Sequence, residues 1–280
     1  MIEHAYYVYA VARAVDNRAP YPLPPEGVVP LAPVYGLAHR ALLAVVSPVP
    51  LAEFEPSALK ANLRNTDWAQ ACVLAHQRVL AALLDDYTFV PLKFCTLYHS
   101  EAAVQEMLAR YYAALDAALQ RLEGAAEWGV KLCCDDGALT AWVEASSDAL
   151  HTQREAIARA SAGAGYFLRK KLEQAALAEA ERVAASCTHV SHRRLAECAR
   201  DVVINPVQSP QEHGHREEMI LNGAYLVDDG RWGAFQATLA TLEDAYASQG
   251  FRYELTGPWP PYNFARLELE QPTRESDPIA

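Results

Sequence analysis

The sequence predicts an α+β protein in two domains, and three observations carry that prediction. The chain has 280 residues, near the practical ceiling for a single hydrophobic core. Hydrophobic residues make up 51% and charged residues 21%, with 13 Gly and 17 Pro, which excludes disordered and collagen-like chains. From Trp128 onward, strand and helix patterns follow in the order strand, helix, strand, strand, helix, strand.

In the first half, Ala5–Val15 is rich in aromatic and β-branched residues and predicts a strand, as does the apolar run Leu37–Val46. Between them, Pro20-Tyr-Pro-Leu-Pro-Pro25 predicts an extended loop, because its prolines have no N–H to give a ladder. Trp68, Cys72, Ala75, Val79 and Leu83 recur at helical spacing and predict a core-facing helix over Thr66–Leu84. Tyr87–Phe94 reads as a strand around Pro91. Ser100 is placed to cap a helix whose stripe runs from Val104 to Leu122, with Gly124 as its stop.

The domain boundary is set before Glu127–Cys133, where Trp128, Val130 and Leu132 alternate with Gly129, Lys131 and Cys133. Residues 1–125 form the N-terminal α+β domain and 126–280 the C-terminal one. A helix over Asp148–Ala160 is expected to break at Gly163 and Gly165, since each glycine costs about 1 kcal/mol in a helix interior. Tyr166–Cys198 lacks Gly and Pro and predicts a long helix of about 50 Å, partly projecting from its domain. Val202–Ile204 and Met219–Val227 read as paired strands. Trp232–Tyr246 then predicts a helix stopped by Gly250, and Phe251–Leu255 a closing strand. That βαββαβ order is the ferredoxin-like layout, with helices on one face of an antiparallel sheet.

Charge excludes several partners. The sum of 24 Lys and Arg against 35 Asp and Glu is −11, and the short run Arg169-Lys170-Lys171 is the densest basic stretch. Nucleic acid and acidic lipid membranes are therefore not expected as partners. No apolar run approaches the roughly 18 to 20 residues of a spanning helix, and Glu3 and His4 stand where a signal peptide carries positive charge. A cytoplasmic protein is expected, with its six cysteines reduced.

The search for chemistry returns little. Cys187, His189, His192 and Cys198 are close in sequence, but at 100° per residue Cys187 and His189 point about 200° apart. Cys187 and Cys198 share a face at a separation of roughly 16 Å. His213-Gly-His215, flanked by Glu212 and Glu217, offers two strong metal ligands without a third. Cys133 and Cys134 alternate across a strand, so one is expected to face the core and the other away. Asp85-Asp86, Asp135-Asp136 and Asp228-Asp229 read as turn residues. Nucleophile elbows, phosphate loops and dinucleotide fingerprints are absent. No catalytic residue, cofactor site or metal site is assigned.

One segment stands apart. Thr256-Gly-Pro-Trp-Pro-Pro-Tyr-Asn-Phe264 combines three prolines with three aromatic rings in a stiff strap. It is expected either to cover its own sheet or to dock a partner, and Pro258, Trp259, Pro260, Pro261, Tyr262 and Phe264 are the candidate partner-binding residues.

This strap resembles the C-terminal signature of the gas vesicle protein F/L family. Further resemblances lie in order along the chain at Ala44–Phe54, Asn62–His76, Val90–Thr96, Glu127–Lys131, Tyr166–Lys171 and Leu221–Val227. Where the family has Arg-Phe-Gly-Thr, this chain has Lys93-Phe94-Cys95-Thr96. The resemblance implies two α+β domains, the second a modified ferredoxin-like fold. It also implies a non-enzymatic accessory role in gas vesicle assembly, with the hydrophobic shell protein and other accessory proteins as partners. The alternative is a metal- or small-molecule-binding regulatory enzyme using His213 and His215. A third reading is a minor structural component kept in the finished vesicle.

Overall fold

The structure is a computed structural model and describes residues 4–14, 23, 26–209 and 217–265. The chain divides into two compact units, one of residues 1–126 with 258–280, the other of residues 127–257. The strap, attached by sequence to the C-terminal domain, thus packs with the first unit from Pro258 onward.

In the first unit, β1 (His4–Arg13) lies between β3 (Leu42–Pro50) and β4 (Phe89–Pro91), with β2 (Tyr35–His39) on the outer edge of β3 and β5 (Leu97–Tyr98) also paired to β1. These pairings are antiparallel. Tyr7 and Tyr9 join one buried cluster with Phe54, Leu59, Cys72 and Val79 from α1 (Leu51–Phe54), α2 (Pro56–Asn62) and α3 (Thr66–Ala81). Val8 and Val11 lie outside that cluster yet are fully buried, and α5 (Tyr112–Leu122) packs against β1 and β4. Burial on both faces explains why β1 reads as a continuous apolar run rather than an alternating one.

Two predicted elements divide. Leu37–Val46, expected as one strand, spans the β2–β3 hairpin, whose turn is made by Arg40 at φ 53°. The reversal escaped detection because a non-glycine residue takes the left-handed conformation there. The helix after Ser100 is α4 (Glu101–Arg110) and α5, separated at Tyr111, whose amide still bonds the Met107 carbonyl at 3.0 Å. Retention of that bond keeps the apolar stripe in phase across the break. Ser100 caps α4 as expected, accepting from the Ala103 amide, and Gly124 ends α5 at φ 66°.

The second unit holds a four-stranded sheet in the order β7-β8-β6-β9, built from β6 (Ala125–Cys134), β7 (Asp201–Ile204), β8 (Glu218–Asp228) and β9 (Phe251–Trp259). The first strand of the βαββαβ unit is central, as the ferredoxin-like order requires. Three helices connect β6 to β7: α6 (Asp136–Ser146), α7 (Asp148–Arg159) and α8 (Ala162–Ala196). The first was not anticipated. Asp135, expected in a turn, is its N-cap and accepts from the Ala138 amide at 2.9 Å. Gly163 and Gly165 sit inside the first turn of α8 instead of breaking it, and the break falls at Ala160-Ser161.

The long helix spans 35 residues, about 52 Å, and turns Ala176, Ala180, Cys187 and Leu195 into the core. The last helix, α9 (Trp232–Tyr246), buries Phe235, Leu239 and Leu242, and Trp232 stacks on Trp128 at 3.8 Å between ring centroids. Both Cys133 and Cys134 are buried, so the face expected to be open beside Cys133 is covered as well. Gly250 closes the α9–β9 connection at φ 91°, and a Cβ there would stand 2.8 Å from the Cβ of Ala138. Both constraints demand glycine. Gly250→Ala is expected to lower stability by about 1 to 3 kcal/mol in urea unfolding, from left-handed strain and crowding against α6.

Candidate functional site

The candidate site is the strap and the part of the first unit that holds it. Gly257, inside the last part of β9, takes φ 116°, a backbone conformation that favours glycine. Pro258 and Trp259 are exposed, Trp259 at 49%, while Pro260 is buried. The following residues close a tight turn, in which Tyr262 bonds the Pro260 carbonyl at 2.7 Å and Ala265 bonds the Pro261 carbonyl at 2.8 Å. Phe264 is 1% exposed, and its carbonyl accepts from the guanidinium of Arg121 on α5. Of the six candidate residues, Pro260 and Phe264 are therefore anchors. Pro258 and Trp259 are exposed, Pro261 is half-buried, and Tyr262 is partly exposed with its hydroxyl turned inward.

Tyr262 carries the strap's polar attachment. Its hydroxyl lies 2.8 Å from His76 Nε2 and 3.2 Å from the Leu92 carbonyl oxygen. On the other side of the imidazole, Nδ1 lies 3.0 Å from the Tyr7 hydroxyl, which also accepts from the Cys95 amide at 2.9 Å. One proton arrangement satisfies all four contacts. A carbonyl only accepts, so the Tyr262 hydroxyl donates to Leu92 and takes the Nε2–H of His76; Tyr7 then donates to a bare Nδ1. The imidazole is neutral and protonated on Nε2. A second proton on Nδ1 would leave the Tyr7 hydroxyl hydrogen without an acceptor among the hydrogen bonds of the described residues.

Burial points the same way. His76 is 1% exposed, and desolvation lowers its pKa to about 4. The Tyr262 hydroxyl, desolvated beside it, is raised to about 12. Around the imidazole pack Tyr7, Tyr9 and Phe94, with ring centroids 5.7 Å from it in each case. Tyr9 extends this polar core, bonding Ser47 at 2.7 Å and accepting from the Val28 amide at 2.8 Å.

The Cys95 amide is presented by a turn in which Cys95 adopts φ 62°. Cysteine rarely adopts this left-handed conformation, which favours glycine. Sequence reasoning placed His76 only as part of a resembling helix and gave it no partner. The available signal was a histidine on the apolar face of α3, between Cys72 and Val79, where an unpaired imidazole would be costly.

The remaining candidates do not converge. Cys187 faces Ser191 and Tyr253, His192 lies 3.3 Å from the Tyr225 hydroxyl, and Cys198 lies 3.5 Å from Thr238. His213 and His215, with Glu212, lie outside the described residues. Among the described residues, no group of three or more His, Cys, Asp or Glu is arranged to hold a metal ion. Burial raises the thiol pKa of Cys72 to about 11 and those of Cys95 and Cys134 to about 12, so all three are protonated at neutral pH and are weak nucleophiles. A cavity of about 320 Å³ in the first unit is floored by Phe54, Cys72 and Trp68, with Glu26, Glu53 and Arg78 also lining it.

The histidine sets a pH dependence whose sign is fixed. Its folded pKa lies below the unfolded value of 6.5, so between pH 6.5 and 4 the unfolded chain binds more protons. Stability is complete above this window and falls as the pH drops through it. Acidification from pH 7 to 4 is expected to cost the native protein about 3 kcal/mol more than it costs His76→Gln, measured by urea unfolding at both pH values.

Comparison with known proteins shows the family and the fold. The family model described as "Gas vesicle synthesis protein GvpL/GvpF" matches residues 5–266. The chain is 33% identical over 268 residues to gas vesicle protein L of Streptomyces sp. (strain CB03234), covering 94% of each chain. It is 26% identical over 274 residues to gas vesicle protein F2 of Halobacterium salinarum, covering 96% of this chain and 95% of the relative. In fold it is similar to the crystal structure of GvpF from Anabaena sp. PCC7120, with a TM-score of 0.67 at 19% identity over 94% of this chain and 99% of that one. GvpF from Microcystis aeruginosa gives a TM-score of 0.60 at 18% identity with the same coverage. Matched along nearly its whole length, this chain belongs to the GvpL/GvpF family of gas vesicle synthesis proteins.

Proposed function

We propose that the protein is a non-enzymatic accessory factor of gas vesicle assembly, acting in the cytoplasm and at the vesicle by binding the hydrophobic shell protein and other accessory proteins. The observation that supports this reading is the exposed Trp259 on a strap whose neighbours are locked. Pro260 and Phe264 are buried, and Tyr262 is tied to His76 and to Leu92. A large ring presented on a stiff backbone binds without the entropic cost of ordering a loop.

The physics of such a role is simple. An apolar shell subunit associates with itself unless its exposed face is covered, and a partner that binds the soluble form lowers the concentration free to aggregate. The net charge of −11 keeps such a complex dispersed. Protonated cysteines and the absence of a converging ligand set among the described residues are consistent with action by contact.

Co-expression with the shell protein tests the reading. The native protein is expected to co-purify with shell subunit, and Trp259→Ser to reduce recovery by about tenfold or more with an unchanged circular dichroism spectrum. Equal recovery with both proteins, or no complex with either, contradicts it.

A further inference from the structure

The N-terminal part of α8 presents a second surface, unlike the strap in chemistry and separate from the proposed role of Trp259. Tyr166 is 60% exposed, Phe167 74% and Leu177 56%, although all three are large and apolar. Beside them stands Arg169-Lys170-Lys171, the one run of three consecutive cations in the chain. None of the three forms an ion pair among the described residues. At 100° per residue, Tyr166, Phe167, Lys170, Lys171 and Leu177 fall within about 140° of arc. Leu172, Ala176, Ala180 and Val183 pack toward the core from the opposite side.

This face is therefore a ridge roughly 16 Å long, with Tyr166 and Phe167 at one end, Leu177 at the other and Lys170, Lys171 and Gln174 between them, on a protein of charge −11. The partner's form follows from both properties. A straight helical ridge of three turns matches another helix laid alongside it, with apolar side chains meeting Tyr166, Phe167 and Leu177. Lys170 and Lys171, the two cations on this face, call for acidic side chains beside those apolar residues, within the 8 to 10 Å over which charge acts at moderate salt. An extended polyanion or an anionic bilayer has to approach the whole negative molecule, while a single helix meets only the local positive field.

We infer that the Tyr166–Leu177 face of α8 is a docking site for an acidic amphipathic helix of a partner protein. The test uses a labelled 21-residue synthetic helix with Leu on one face flanked by Glu, and a control with Lys in place of Glu, each titrated with the full chain and followed by fluorescence anisotropy. The Glu peptide is expected to bind at least tenfold more tightly than the Lys peptide. Phe167→Ser and the double change Lys170→Glu with Lys171→Glu should each weaken Glu-peptide binding by at least tenfold without altering circular dichroism. Trp259→Ser should leave it unchanged, which separates failure here from failure of the strap reading.

Equal binding of the two peptides, or insensitivity to both α8 variants, overturns the inference. So does capture by phosphatidylserine vesicles in place of the Glu peptide, which would make the face a membrane contact. Concentration-dependent self-association that the same variants abolish would assign the face to a second copy of the chain and overturn it equally.

Discussion

The Tyr7–His76–Tyr262 hydrogen-bond chain is the constraint on which the C-terminal strap depends. It begins at an amide on the turn after β4, crosses β1 and α3, and ends at a carbonyl near the same turn. Segments distant in sequence are thus tied by Tyr7, His76 and Tyr262, each of which bridges two partners. A buried polar group is worth most when every member of its network is satisfied, and costly when one is lost. The strap is held from two sides, by this chain and by the insertion of Phe264 with its carbonyl on Arg121.

That attachment gives the exposed residues their character. Pro258 and Trp259 end β9 and run directly into the tight turn at Pro260–Ala265, so the indole is presented by backbone with little freedom. The α8 face is built differently. It is a regular helix whose outer side carries the exposed rings of Tyr166 and Phe167 beside Lys170 and Lys171.

Much of the fold was legible because it is written in local periodicity. The βαββαβ order of the second sheet, the Ser100 cap and the stops at Gly124 and Gly250 each follow from residues within a few positions of one another. The failures share a cause in tertiary context. Arg40 and Cys95 make left-handed turns without glycine, so no turn signal marks them. α6 hides behind two aspartates that suit a turn and an N-cap equally well. At the site, the strap's composition announced a rigid aromatic segment, but nothing in its own sequence names His76, 186 residues away, as its partner. Which rings are anchors and which are exposed is a fact of packing, and composition carries no trace of it.

The central claim is that a neutral, Nε2-protonated imidazole holds the strap. Long-range proton–nitrogen NMR on uniformly labelled protein reads this directly through the two ring nitrogens of His76. The account requires Nε2 to carry the proton at pH 7, with no second proton taken up until the pH nears 4. A His76 protonated on Nδ1 at neutral pH, or one titrating at the ordinary value near 6.5, would contradict it.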